Sequence, residues 1–254
     1  MSYDACEKLV KTGDPDRYLS AQSAPPEGRK ALMAIYAVNL EIARAPWASP
    51  EPLVAQMRLR WWADEIDRIY KGVAVTTHEI LPALRDVIFD HDLPHHHFEA
   101  LIEARMNDVY ADPPESRAMF DAYIEATSGS VMALAARALG TPEAAMPVVT
   151  DFAYGTGVAN LLRAVPALKA RGRRPFPEPA HQIVKSATNQ MAHARKHRMA
   201  IPASATAAML AGWRADATLS HALKHPEHID SGLLEESPAR KMMTLRWRSI
   251  TKKW

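Results

Sequence analysis

Apolar residues recur along this chain every three to four positions, and the period-two alternation of a half-buried strand is almost absent. Over residues 27–44 the positions Leu32, Ile35, Tyr36, Leu40 and Ala43 share one face, which predicts a long amphipathic helix. Gly13, Asp14 and Pro15 stop a first helix over 3–11, and Asp14 or Asp16 caps a short second one containing Arg17, Tyr18 and Leu19. Pro25 and Pro26 mark a turn, and residues 45–52 a break before a helix that runs to Tyr70. Thr76 or Thr77 is the expected cap of the next helix. Residues 90–97 read as a loop leading into a helix that ends near Tyr110, with a further break over 111–116. One helix is expected over 119–139 and another through 154–169, entered by a turn at 140–143. Pro175, Pro177 and Pro179 make a stiff connection. Helices over 180–198 and 204–223 follow, and a basic helix closes the chain. No repeat and no long linker interrupts this pattern, so residues 1–254 read as one all-α domain of about ten helices.

Composition narrows the class. With 48% hydrophobic and 24% charged residues the chain is an ordinary globular one, able to bury a sizeable core. A net charge of +2 is too small to point to nucleic acid, and no basic patch interleaves with aromatics in a nucleic-acid signature. The single cysteine, Cys6, excludes a disulfide framework and fits a reducing compartment. The first residues lack a basic start followed by an apolar run, so no signal peptide is expected. The longest uncharged windows fall short of the roughly 18 residues a membrane span needs. The expected location is cytoplasmic, with peripheral contact on the inner membrane.

Several side-chain groups can carry chemistry. Asp64, Glu65 and Asp67 sit at helical spacing and can clamp a divalent ion; they are also the solvated side of a helix whose inner face carries Leu59, Trp62, Ile66 and Ile69. His91, His95, His96 and His97 have metal-binding chemistry, but consecutive histidines in a loop point in different directions. Asp108 and Asp112 end a helix beside the Pro113 turn. Gly155 and Gly157 follow no strand and lack phosphate-loop spacing, so they read as small residues for close helix packing. Arg163, Lys169, Arg171, Arg173 and Arg174 can hold a diphosphate or acidic headgroups, or simply complete a helix dipole. Arg240 to the C-terminus mixes cations with Met242, Met243, Leu245, Trp247, Ile250 and Trp254, which suits a membrane surface, a partner, or packing on the domain.

Five blocks in order give the chain a resemblance to the squalene/phytoene synthase family over nearly its whole length. They are DRYLSAQSAPPEGRKALMAIYA (16–37), RLRWWADEID (58–67), MNDVYADPP (106–114), AYIEATSGSVMALAARALG (122–140) and NLLRAVPALKARGRRPFP (160–177). The resemblance implies an isoprenoid-synthase-type helical bundle around a central cavity. Catalytic members carry N-[IL]-L-R-D-x-x-x-D in the last block, followed by a basic run, Gly-Arg and a proline. Asn160, Leu162, Arg163, Gly172, Arg173 and Pro177 fall into that register, but the two metal-binding aspartates fall on Ala164 and Leu168. A second acidic motif falls on residues 40–44, where Glu41 remains and Arg44 replaces an expected acid. Alanine and leucine cannot ligate a hard cation, which takes oxygen ligands. Asp108, Tyr123 and Gly129 also match family positions.

The chain is most similar to the family's non-catalytic branch, which includes the mitochondrial complex I assembly factor. The match lies in Asn39, Glu41, Ile42 and Ala43, in the RLRWW block, in Asp108, Tyr110, Asp112 and Pro113, and in Leu161, Leu162, Arg163 and Pro166. Pro166 is expected to end or kink its helix. The resemblance therefore implies a cavity lined by Glu41, Asp108, Tyr123, Asn160 and Arg163, with the metal positions lost at Arg44, Ala164 and Leu168 and no bound metal or other cofactor. The expected function is non-catalytic assistance to assembly of a respiratory complex, with a subunit or assembly factor as partner. One alternative is a Mg²⁺-dependent prenyl transferase acting on isoprenyl diphosphates through an altered site at Glu41, Asp108 and Asp112. Another is a module that binds an isoprenoid or lipid without chemistry.

Overall fold

The computed structural model describes residues 2–110, 112–177 and 180–254, and among these there is no strand. Pro179, the last of the three connecting prolines, lies outside the described residues. The helices are α1 (Ser2–Gly13), α2 (Pro15–Ala21), α3 (Pro26–Arg44), α4 (Pro52–Tyr70), α5 (Leu81–Asp90), α6 (His95–Met106), α7 (Arg117–Ile124) and α8 (Ser130–Ala138). There follow α9 (Met146–Lys169), α10 (Ala180–Lys196), α11 (Thr206–Met209), α12 (Ala215–Lys224), α13 (His228–Ser231) and α14 (Pro238–Thr251).

Two helices form the centre. The pattern on α3 predicts one apolar face, yet every residue from Ala31 to Leu40 is buried. The reason is its position: α1, α2, α5, α6 and α8 all pack against it. Small residues at Ala31, Ala34 and Ala37 let that ring close. The second is α9, buried without interruption from Phe152 to Ala159 and packed by α7, α8, α10, α12 and α13. Its glycines serve packing. A Cβ at Gly155 would lie 2.0 Å from Met191 Cγ on α10, and one at Gly157 would lie 2.7 Å from Ser128 Cβ. Pro166 does not end the helix, which continues to Lys169. A proline this near the C-terminus removes one backbone donor, and the Ala170 N–H still closes the last turn on the Pro166 carbonyl at 3.0 Å.

Some expected elements change on folding. The helix over 119–139 contains a π-helical turn, Glu125–Gly129, between α7 and α8. The helix over 204–223 is broken into α11 and α12 by a 3-10 turn, Leu210–Gly212. Gly212 lies so close to α9 that a Cβ there would be 2.3 Å from Thr156 Oγ1. The cap expected at Thr76 or Thr77 is absent, because α5 begins after Ile80 without a side-chain cap. Instead the Thr76 N–H donates to buried Glu65 at 2.8 Å. That bond, with Asp67 held by Lys71 at 2.6 Å, shows that the WADEID acids anchor a loop and a helix end rather than converge.

The histidines at 95–97 form the first turn of α6, not a loop. His95 stacks on Tyr70, with ring centroids 4.2 Å apart, while His97 Nδ1 is 3.3 Å from Ser130 Oγ on α8. Burial, then His96 and Arg137, lower the His97 pKa to about 4. The unfolded chain then binds more protons between about pH 6.5 and 4, so stability falls as pH drops through that window. The melting temperature is expected to decline from about pH 7 to 4.5, and His97→Asn to flatten the decline; an unchanged slope in that variant would locate the acid sensitivity elsewhere.

No helix among the described residues is long and apolar enough to cross a membrane. The C-terminal helix α14 packs on the bundle through Leu245, and Trp254 lies edge-on to Phe152 at 4.7 Å. Met242, Met243, Trp247 and Ile250 face outward.

Candidate functional site

A cavity of about 310 Å³ opens between α2, α3, the π turn, α9 and the start of α12. Asn39, Leu40 and Ala43 form one wall, Asn160 and Arg163 the wall opposite, and Thr127 and Ser128 of the π turn a third. Asp14, Asp16, Arg17, Arg105 and Arg214 supply the charged rim. The π turn brings both Thr127 and Ser128 into the lining, and such turns occur often at functional sites.

The carboxylates at and around this cavity already hold guanidinium groups. Asp14 caps α2 by accepting from the Arg17 N–H at 2.9 Å and from its Nη1 at 3.3 Å. Arg214, nearly buried, donates to Asp16 at 2.6 Å and to Glu235 at 2.6 Å. Arg105 donates from Nη1 to Asp108 at 2.8 Å and to the Tyr123 hydroxyl at 2.7 Å, and that hydroxyl donates on to Asp108 at 3.0 Å. Burial pushes the Tyr123 phenol well above its usual range, so it stays a neutral donor. Burial alone would lower Arg105, but Tyr123 and the Asp108 carboxylate outweigh it, and the guanidinium is held charged. Arg163 is less well matched: it donates to Asn160 Oδ1 at 2.8 Å, and its nearest carboxylate, Glu235, is 3.8 Å away. Burial, then the neighbouring Arg214, lower its pKa. Four arginines against two aspartates make the lining cationic.

The five residues expected around the cavity separate in space. Asn160 and Arg163 line it. Asp108 and Tyr123 reach it only through Arg105. Glu41 does not line it, and sits 3.7 Å from Arg58 and 4.0 Å from Arg44 instead. Ala164 and Leu168 are not among its lining residues, and Arg44 lies in the ion pair with Glu41 rather than in the cavity. The basic run after α9 also disperses. Lys169 binds Asp230 at 2.6 Å, the guanidinium groups of Arg171 and Arg173 stand 5.0 and 5.1 Å over the Trp47 ring, and Arg173 donates to the Asp108 carbonyl at 3.0 Å. Sequence reasoning missed Arg105 and Arg214. Asp16 and Arg214 are 198 residues apart, and no local pattern marks such a pair. Arg105 was within reach: it lies three residues before Asp108, the spacing of a helical ion pair.

A cavity inside a ring of helices, walled by α3, the π turn and α9, is the architecture of an isoprenoid-synthase-type bundle. The family model for squalene/phytoene synthase matches residues 10–209, and the chain belongs to that family. Among solved structures, a dehydrosqualene synthase in complex with ligand superimposes with a TM-score of 0.78 at 17% identity, covering 100% of this chain and 97% of that one. Squalene synthase HpnC from Alicyclobacillus acidocaldarius superimposes with a TM-score of 0.75 at 16% identity, covering 89% and 94%. At such identities the likeness is one of fold. The curated relatives carry a different description. A Drosophila melanogaster homologue of complex I assembly factor 6 is 29% identical over 63% of this chain, and the match spans half of that protein's length. The Mus musculus assembly factor 6 is 22% identical over 98% of this chain and 81% of its own length.

Proposed function

We propose that the chain is a non-catalytic member of this family that assists assembly of a respiratory complex, complex I by the description of its relatives. The observation that supports this most is the pairing of the acids near the cavity. Asp14, Asp16 and Asp108 each hold an arginine, and α9 offers Ala164 and Leu168 where the family's catalytic motif needs carboxylates. Magnesium demands near-octahedral oxygen ligation, and a carboxylate engaged by a fixed guanidinium is a poor donor for it. The residues present do not fit a Mg²⁺ cluster of the kind that neutralises a diphosphate leaving group. The cavity volume is also at the low end for a ligand of drug size, and head-to-head coupling must hold two long chains. Purified protein incubated with Mg²⁺ and farnesyl or geranylgeranyl diphosphate is expected to give no coupled C30 or C40 product. Product at ordinary enzymatic rates would overturn the non-catalytic part of this reading. Cells lacking the protein are expected to accumulate incompletely assembled complex I, and normal levels of complete complex would overturn the assembly part.

A second reading is favoured by the cationic lining: the cavity holds an isoprenoid or lipid through its phosphate without chemistry. Arg163, with only a distant carboxylate, is the residue that would meet that phosphate. Calorimetry with farnesyl diphosphate in the absence of metal is then expected to show binding that Arg163→Ala weakens about tenfold, roughly one charge-assisted hydrogen bond. Binding insensitive to that substitution would place the ligand elsewhere.

A further inference from the structure

We propose that His225, Glu227 and His228 form a binding site for a divalent transition metal of the zinc type, with His221 as its positioning residue. Among the described residues this is the group of His, Cys, Asp and Glu side chains whose ligand atoms converge, one from each residue within 4.8 Å of the other two. The backbone explains the convergence. His225 closes α12, its N–H donating to the His221 carbonyl at 2.8 Å. Pro226 then turns the chain, and the His228 N–H donates back to the His225 carbonyl at 3.0 Å. Within this single reversal the rings of His225 and His228 lie nearly parallel, 15° apart, with centroids separated by 4.9 Å. Glu227 Oε1 is 3.3 Å from His225 Nδ1 and 3.8 Å from His228 Nε2. Tetrahedral ligands around zinc stand about 3.3 Å apart, so small side-chain rotations bring all three atoms onto one ion.

His221 supplies what such a site needs beyond its ligands. Its Nε2 lies 2.8 Å from His228 Nδ1. With the proton on Nδ1, His228 donates to His221 and leaves Nε2 bare toward Glu227 and His225. A ligating histidine ordinarily makes this outer hydrogen bond, which fixes both tautomer and ring orientation. Two imidazoles and one carboxylate are a borderline donor set, suited to zinc, cobalt or nickel rather than to magnesium or calcium. Three protein ligands leave a fourth position on the solvent side, where His225 and Glu227 are half or more exposed. The His95–His97 run has no such geometry, since His95 stacks on Tyr70 and His97 turns to Ser130.

The test uses the full chain, stripped with a chelator and titrated with Co²⁺ while the visible absorption is followed, then challenged with Zn²⁺. One equivalent of Co²⁺ is expected to saturate bands of a four-coordinate ion, and Zn²⁺ to displace it. His225→Gln and His228→Gln are each expected to weaken binding at least about 100-fold, and His221→Gln by about 10–100-fold as an outer-shell residue. Simultaneous replacement of His95, His96 and His97 by Gln is expected to leave it unchanged. Absence of saturable one-equivalent binding would overturn the proposal. So would binding that survives His225→Gln and His228→Gln, or that follows the 95–97 replacement instead.

Discussion

Arg214→Met is expected to lower the melting temperature by about 10 °C. The guanidinium is almost wholly buried and ties two distant parts of the chain, α2 through Asp16 and the segment before α14 through Glu235. Removing it leaves Asp16, itself about a quarter exposed, without its cation at 2.6 Å. Breaking a buried pair from one side costs about 3 kcal/mol, and each kcal/mol moves the midpoint of a chain this size by about 2–4 °C. The Glu235 end contributes little of this, because half its side chain is in water. Asp16→Asn introduced into Arg214→Met is therefore expected to recover part of the loss, while Glu235→Gln is not. Thermal unfolding of the three variants checks this, and a shift under about 2 °C for Arg214→Met would mean that the pair does not help to close the bundle.

Gly155→Leu is expected to destabilise by about 3 kcal/mol or more, seen as a lower denaturant midpoint. A Cβ alone at Gly155 would meet Met191 Cγ at 2.0 Å and the Ala187 carbonyl at 3.0 Å. Met191 can move, but the carbonyl belongs to the α10 backbone, so a larger side chain forces α9 and α10 apart. The interface between these two helices is extensive and includes buried Val184, Ala187, Met191 and Ala194. Gly172→Ala is the contrast. Gly172 has φ +75°, and a Cβ there would meet nothing within 4 Å. Only the left-handed backbone opposes that change, at about 1 kcal/mol.

Most of the fold was legible in the chain. The apolar spacing of 27–44 placed α3 almost to the residue, because a long helix repeats its signal over about five turns. The burial of its middle on every side, Ala31 to Leu40, was not legible, since that depends on five other helices closing around it. The break at Gly212 was missed although glycine is a weak helix former; there the chain runs so close to α9 that a Cβ would meet Thr156 and Phe152. At the cavity, Asn160 and Arg163 were found because they sit in a recognisable block one helical turn apart. Glu41 carried the right chemistry but belongs to an ion pair with Arg44 and Arg58. The turn holding His225 and His228 passed unnoticed because His221 and His225 alone, one helical turn apart, mark no site, and His228 joins them only when the chain reverses at Pro226.

The π turn at Glu125–Gly129 acts as a phase shift in a rod. Upstream of it Tyr123 meets Arg105, and downstream Ser130 meets His97. The wider ring takes up one extra residue, so the two halves keep their phase and both contacts are made. Wound as a regular α-helix of the same length, the segment would turn one half against the other by about 100°. Either the Arg105 cluster or the α6–α8 contact would then lose its partner. A segment whose composition suggests an uneventful alanine-rich helix thus depends on one wide turn to keep contacts on both sides of it.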